Sequence, residues 1–398
     1  MSQMQGIIES NLLIKVKFYN LPHRLKLLNK ANYPKKVTDE IRRVIKNGCN
    51  IKGADFVLYT LFYNKGYGIT QAEFATKVKS MEDLLSLHIV VSNSTIQKRY
   101  RRALPRGVTD NIGESIGMLI ISHFYGITNA DWDVIPESNR NKTLDFSLAI
   151  SASGLVQLET KGTSAIKLAI SKPYNDICKK KNVKSVINGN YNYGTIATID
   201  QNEVCCYLVD PPGNDDEFDV VFLRVFSRLQ YYLRILNIIA PESELIEVID
   251  KRLSQLLNES FDYTEDIKLK PNSRGSFNYD SGNRPTYFFN AYYDGDTKGG
   301  YGGRCFFVDS TSLLFVGVTN DLLVEIVNQD FEYISRDINS EGENVEVRMS
   351  VPINALHRKD ESGVTIISDD RFYNAHQNLN VEGTLNFKNG LVIGVLDY

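Results

Sequence analysis

Three side chains suited to phosphate chemistry are predicted to meet in the middle of the chain: Asp145, Glu159 and Lys161. Glu159 and Lys161 end the phrase Gln157-Leu-Glu-Thr-Lys, and the two-residue period of a β-strand would put both on one face. Residues 151–154 (Ser-Ala-Ser-Gly) predict a hairpin turn, which would bring Asp145 opposite them on the neighbouring strand. We therefore expect two carboxylates and an ammonium group to share one small site.

Such a site has the groups needed to hydrolyse a phosphodiester. Carboxylates held close together repel each other, and a hard cation such as Mg²⁺ relieves that repulsion through oxygen ligands. A bound metal polarises a phosphoryl oxygen and lowers the pKa of a coordinated water, while a lysine orients that water or stabilises charge on phosphorus. The alternative interpretation is a cross-strand ion pair on an exposed pair of strands, with no catalytic role.

The acid-x-Lys spacing also occurs at residues 266–268 and 296–298, but without paired strands or an upstream acid. Only the instance at residues 159–161 has an acid, Glu114, on a preceding helical stretch. Residues 113–117 (Gly-Glu-Ser-Ile-Gly) match the nucleophile elbow of serine hydrolases, which requires a buried strand before the serine. Polar residues precede this pentapeptide, so we expect it to lie within a helix instead.

The elements that must position these groups change character at Val108, where a mixed α/β pattern begins. Asp110 is a predicted N-cap for a helix through Phe124, and Gly126 is its predicted end. The two-residue period predicts strands at Leu144–Ile150, Leu155–Lys161, Gly194–Ile199 and Val204–Val209. Residues 218–258 predict a long helical region interrupted near Pro241, and strands are predicted from about residue 284, at Tyr287–Tyr293, Cys305–Val318 and Gly383–Val395.

The N-terminal part is basic and predicted to be helical. Residues 1–110 contain 19 Lys and Arg against 8 Asp and Glu, whereas the rest contains 26 against 40. Thr70 caps one predicted helix, and Ser92 begins another that is dense in positive charge. Together they resemble a helix-turn-helix, although about ten extra residues separate them; a plain helical bundle is the alternative. The predicted nucleic-acid contacts are Lys98, Arg99, Arg101 and Arg102.

The overall composition excludes several classes of protein. Hydrophobic residues make up 42% and charged residues 23%, which is typical of a soluble globular protein. No run approaches the roughly 18 apolar residues of a membrane span, and the N-terminus lacks the apolar segment of a secretory signal. Five cysteines without a C-x-x-C pair argue against a disulfide framework or a zinc knuckle. We therefore expect a reduced, cytoplasmic protein.

The phrases Leu144-Asp145 and Glu159-Thr160-Lys161-Gly162 resemble the two half-motifs of the PD-(D/E)XK nuclease superfamily, with Leu144 in place of a proline that many members also lack. The resemblance covers about residues 108–213. It implies an α/β fold with a restriction-endonuclease-like core, a mixed sheet flanked by helices. It also implies that Asp145, Glu159 and the Thr160 carbonyl bind a metal, that Lys161 positions water or stabilises charge, and that Glu114 is an auxiliary ligand.

These inferences predict a basic helical module at residues 1–107 with a DNA-binding role, a nuclease core at 108–260 and a β-rich region at 261–398. The predicted reaction is Mg²⁺-dependent hydrolysis of double-stranded DNA, with Mn²⁺ as a substitute and a 5′-phosphate product. The resemblance implies a restriction or anti-phage defence endonuclease, working as a homodimer. The alternatives are an inactive core that binds or senses nucleic acid, and an interaction subunit whose basic half contacts an acidic partner protein.

Overall fold

The first half of the chain forms a mixed sheet of seven strands. The structure is a computed structural model, and it describes residues 2–62, 69–134, 147–151, 154–164, 171–179, 190–211, 220–241, 243, 245–258, 292–294, 300–328, 330–336, 342–352 and 378–398. Among these residues, no helix is long and apolar enough to cross a membrane. Leu144 and Asp145 lie outside the described residues.

The N-terminal elements include strands as well as the predicted helices. In order they are α1 (Gln3–Ile8), β1 (Asn11–Phe18), α2 (Leu21–Leu27), α3 (Lys35–Asn47), β2 (Cys49–Lys52), α4 (Gly53–Phe62), α5 (Gln71–His88), β3 (Ile89–Ser92) and β4 (Thr95–Lys98). The N-cap at Thr70 is confirmed, because its hydroxyl accepts from the Glu73 amide and the Glu73 side chain accepts in return. The helical interpretation of residues 1–107 is therefore only partly correct.

The helix predicted to begin at Ser92 is wrong. Residues 89–98 form the hairpin β3–β4, in which Ser92 pairs with Thr95. The two turn residues, Asn93 and Ser94, have φ values of 50° and 60°, as a two-residue hairpin turn of the right twist requires. Because these strands are rich in β-branched side chains, the extended conformation is favoured over a helix, and no helix-turn-helix forms here.

The central elements follow the predicted order of helix, hairpin strands, helix and further strand. They are α6 (Arg106–Tyr125), β5 (Trp132–Val134), β6 (Ser147–Ser151), β7 (Gly154–Thr163), α7 (Ser171–Lys179), β8 (Asn190–Ile199) and β9 (Val204–Val209). Gly126 ends α6 in the left-handed conformation, as predicted. The N-cap predicted at Asp110 is wrong, since α6 begins a turn earlier, after Pro105, and Asp110 accepts from the Arg106 side chain instead.

The seven-stranded sheet has the order β2-β1-β9-β8-β7-β6-β5. The pairs β7–β8 and β1–β9 are parallel, and the others are antiparallel. The predicted hairpin is confirmed for its described part, where Ser147 pairs with Leu158 and Ser151 with Gly154. Strand β1 comes from the predicted N-terminal module, so the sheet continues across the boundary predicted at residue 107.

Helix α6 packs against one face of this sheet at very short distance. A Cβ atom on Gly113 would lie 2.4 Å from the Cα of Gly162, and one on Gly162 would lie 1.7 Å from the Thr109 carbonyl oxygen. A Cβ on Gly117 would lie 2.7 Å from the Cγ2 of Thr160. Because only glycine leaves room at these positions, the helix and β7 are held in one fixed relation.

The second half of the chain adds two long helices and a six-stranded sheet. The helices are α8 (Val220–Ile239) and α9 (Leu245–Leu257), which confirm the predicted interruption near Pro241. The sheet has the order β10-β11-β12-β15-β14-β13, and its elements are β10 (Tyr292–Asp294), β11 (Tyr301–Phe307), β12 (Ser312–Thr319), α10 (Asn320–Asn328), α11 (Phe331–Ser335), β13 (Glu343–Pro352), β14 (Asn378–Lys388) and β15 (Leu391–Asp397). The β-rich character predicted for 261–398 is thus present in the described part.

A buried ion pair connects the two halves. Arg228 of α8 and Asp131, in the short helix Asn129–Asp131, are both almost fully buried, with 2.6 Å between Arg228 Nε and Asp131 Oδ1. The same guanidinium donates to the backbone carbonyls of Ile334 and Arg336. Asp131 also accepts from the backbone and hydroxyl of Thr128. The charges are compensated on all sides, as burial in a core requires.

Candidate active site

The two faces of β7 have different surroundings. Thr160 and Gly162 face α6, as their contacts with Gly117 and Thr109 show. By the alternation of a strand, Glu159 and Lys161 must point to the opposite face, which we call the outer face. Helix α7 covers part of this outer face, where its Ile177 packs with Ile196 and Val209. The predicted placement of Glu159 and Lys161 on one face is confirmed.

Glu159 is a fully buried carboxylate with an ion-pair partner beside it. Its exposed fraction is 0%, and its Oε1 lies 2.6 Å from the Nζ of Lys161. Burial raises the pKa of Glu159 to about 6; the Lys161 ammonium lowers it, and the nearby charge of Asp176 raises it further. The Lys161 side chain is 26% exposed, so the pair has one end in the protein and one end at the solvent. An acid of this pKa exchanges its proton near neutral pH, which is typical of functional groups.

Asp176 is a residue of this site that the sequence did not reveal. It lies on α7, and its carboxylate is close enough to Glu159 to disfavour the ionised form of Glu159. Sequence reasoning predicted only partly helical structure in this polar stretch. The amphipathic spacing of residues 171–179 was available as a signal for the helix, but not for the face of the sheet on which it lies.

Two buried amides continue the outer face beside Glu159. Gln157 and Asn192 are register partners on β7 and β8, and both are at least nine-tenths buried. In the described part of the chain, no donor reaches the side-chain carbonyl oxygens of either residue. Buried acceptors without a donor are costly, and a cation or a water satisfies them. The outer face around Glu159 is therefore rich in oxygen ligands.

The predicted auxiliary acid is not brought to this face. Glu114 is half-buried on α6, next to Gly113, and α6 packs on the face opposite to Glu159. Asp145 lies outside the described residues, so its expected approach to Glu159 stays a prediction. Within the ranges that the structure describes, no three His, Cys, Asp or Glu residues are grouped closely enough to hold a metal ion.

The predicted basic contacts lie at one end of β7. Residues 99–105 link β4 to α6, and the amide of Leu104 donates to the Oγ of Ser164, directly after β7. Residues 99, 101, 102 and 106 are exposed arginines, and Lys98 is half-buried. The basic side chains are thus not on a recognition helix, but the segment brings them to the strand end that follows Lys161.

Ser115, the serine of the elbow-like pentapeptide, has a structural role. It is fully buried in α6, where its hydroxyl contacts Thr60 Oγ1 at 3.0 Å and donates to the Asn111 carbonyl. A serine inside a helix is not exposed on a strand-to-helix turn, as a nucleophile elbow requires.

Comparison of the chain with protein-family models, curated proteins and solved structures found no match.

Proposed function

We propose that the chain is a metal-dependent nuclease that hydrolyses DNA phosphodiester bonds, with Glu159, Lys161 and Asp145 at its centre. The observation that carries this proposal is the wholly buried Glu159 carboxylate, whose pKa is about 6 and whose partner is a lysine that reaches solvent. A buried acid with a raised pKa beside a partly exposed charged partner is typical of functional sites. The order of helix, hairpin strands, helix and further strand supports the same proposal.

The outer face offers carboxylate and amide oxygens, which are the ligands that hard cations prefer. The carboxylates of Glu159 and Asp176 repel each other, and the amide oxygens of Gln157 and Asn192 lack donors in the described part. Oxygen ligands of this type are those that Mg²⁺ and Mn²⁺ prefer. We propose that Glu159, the Thr160 carbonyl and Asp145 hold the ion, without Glu114, because α6 lies on the opposite face of the sheet. When bound, the ion would supply charge stabilisation at phosphorus and a more acidic water.

The residues of the chain itself would bind and orient the substrate. The partly exposed ammonium of Lys161 can meet a phosphate oxygen or hold the attacking water without leaving its partner Glu159. The arginines of residues 99–102 would hold the adjacent backbone, because exposed guanidinium groups bind phosphates in pairs of hydrogen bonds. The family resemblance further implies that cleavage leaves 5′-phosphate ends and that the enzyme acts in restriction or anti-phage defence.

The test is cleavage of circular and linear duplex DNA with Mg²⁺, Mn²⁺ or EDTA. We expect metal-dependent cutting by the wild type, loss of cutting in Glu159→Ala and Asp145→Ala, and severe impairment in Lys161→Ala, because each removes a group at the reacting phosphate. The matched control is Glu346→Ala, which removes an exposed glutamate on β13. Cutting that persists in both acid variants would refute the centre. Tight DNA binding without cutting in any metal would instead favour an inactive core that senses nucleic acid.

A further inference from the structure

Two aligned rows of mostly polar side chains, together called the polar row, lead away from Lys161 on the outer face. Lys161 is level with Ile196 on β8, Tyr207 on β9 and Lys17 on β1, since these are successive register partners. The next row along the strands contains Thr163, Thr198, Cys205 and Lys15. Apart from Ile196 and Cys205, the members of these two rows are half-buried or exposed. The site is therefore connected to β1 by accessible hydroxyl and ammonium groups.

The row ends at an open edge of the sheet. Strand β2 pairs with β1 only at Asn11–Ile14, so Lys15–Phe18 have the strand β9 on one side and a groove on the other. The groove has a volume of about 560 Å³ and lies between β1, α2 and the end of α3. We call it the edge groove, and it is lined by Leu13, Lys15, Val16, Lys17, Phe18, Asn20, Leu21, Arg24, Ile45, Lys46, Asn47 and Gly48.

The edge groove has the chemistry of a site for a polyanion. Its lining contains four basic side chains and two amides, and none of its described lining residues is acidic. Lys15 is partly neutralised by its ion pair with Glu203, which leaves Lys17, Arg24 and Lys46 as the principal positive groups. Leu21 is 62% exposed at the rim, where an apolar surface can contact a sugar or a base.

We infer that one strand of the nucleic acid crosses the outer face from the Glu159–Lys161 pair to the edge groove, where Lys17, Arg24 and Lys46 bind its phosphates. This inference rests on the proposed nuclease function. Three strand spacings of about 4.8 Å separate β7 from β1, so the path is about 14 Å long. At roughly 3.4 Å of axis per phosphate in one strand, this path accommodates about four phosphates.

The direction of the row distinguishes this occupant from an acidic peptide. A peptide that adds to an open sheet edge runs parallel to the strands and bonds to the backbone of β1. The polar row instead runs across β7, β8, β9 and β1, and it begins at the proposed reaction centre. A repeating phosphate every few ångströms matches such a path, whereas a peptide strand does not.

The test compares Lys17→Glu/Lys46→Glu with the control Lys36→Glu/Lys79→Glu, which makes the same charge change at exposed lysines outside the groove. Binding of a fluorescein-labelled single-stranded 20-mer is measured by anisotropy in EDTA over a range of salt concentrations. Losing two phosphate contacts should reduce the slope of log K against log salt by about 1.4 relative to the control. Lys17→Gln/Lys46→Gln should give the same slope change with a smaller loss of affinity.

The outcomes distinguish the path of the nucleic acid from the nuclease proposal itself. An unchanged slope in the groove variant, while the wild type cuts DNA in a Glu159-dependent manner, would overturn the path and leave the nuclease proposal standing. A wild type that neither binds the oligonucleotide nor cuts DNA would overturn both. Tighter binding of a poly-glutamate peptide than of the oligonucleotide, lost in the groove variant, would show a peptide site and overturn the path. Trp132 fluorescence checks that each variant is folded.

Discussion

Replacing Glu159 by glutamine should make the protein more stable above pH 6 when divalent metal is absent. Glutamine has nearly the same shape as glutamate but carries no charge. The pKa of Glu159 is raised from 4.5 to about 6, mainly because the carboxylate is buried. That difference of roughly 1.5 pKa units corresponds to about 2 kcal/mol at ~1.36 kcal/mol per unit. The ionised Glu159 destabilises the folded wild type by this amount, whereas the neutral side chain of Glu159→Gln does not.

The direction in which the free energy of unfolding changes with pH follows from proton binding by Glu159. Between about pH 4.5 and 6 the folded state keeps the Glu159 proton that the unfolded state has released. The free energy of unfolding of the wild type therefore falls as the pH rises through this window, and the full cost is present above about pH 6. The advantage of Glu159→Gln should be under about 1 kcal/mol at pH 5 and about 2 kcal/mol at pH 8. The loss of the Lys161 partner reduces it only slightly, because Lys161 is partly solvated.

The assay is urea unfolding followed by fluorescence of Trp132, the only tryptophan of the chain, which is buried in β5 of the same sheet. Measurements at pH 5 and pH 8 in EDTA are compared with Glu346→Gln, a surface change that should stay within about 0.5 kcal/mol of the wild type. Added Mg²⁺ at pH 8 should stabilise the wild type but not Glu159→Gln. An equal difference between wild type and Glu159→Gln at both pH values would refute the reasoning.

Two other substitutions test the surroundings of the site. Arg228→Ala should lower the free energy of unfolding by about 3–5 kcal/mol, because it leaves the buried Asp131 charge without its main partner; the same urea assay measures this, and a loss under about 1 kcal/mol would contradict the structure. Charge reversal at the exposed residues Arg99, Arg101 and Arg102 should weaken binding to duplex DNA and lower the salt slope by about 0.9 per lost contact. Unchanged affinity in an anisotropy titration would leave that segment with a structural role alone.

Local patterns were sufficient for the elements around the site. The alternation in residues 155–161 predicted β7 and the shared face of Glu159 and Lys161, and the turn residues 151–154 predicted its hairpin with β6. Glycine at position 126 marked the end of α6. Each of these features depends on residues close together in the chain, so each can be predicted from the local sequence.

Features that depend on distant contacts could not be predicted in this way. The turn at Asn93-Ser94 is local, but serine and asparagine favour both a turn and a helix start, so the pattern alone does not decide between them. Asp176 became part of the site only because α7 packs on the outer face. The pairing of β1 with β9 has no local signal at all, and without it the edge groove has no strand to line it.

During synthesis, β1 is made long before β9, the strand with which it pairs. Lys15 of β1 pairs with Cys205, almost two hundred residues later. At about 5–20 residues per second, β1 therefore leaves the ribosome some tens of seconds or less before its neighbour exists. During this time β1 has only β2 as a partner, at Asn11–Ile14, so the edge that later pairs with β9 is open and could join another chain. The lysines at positions 15 and 17 interrupt that strand with charge, so Lys17, which would later hold a phosphate, would first help to keep nascent chains apart.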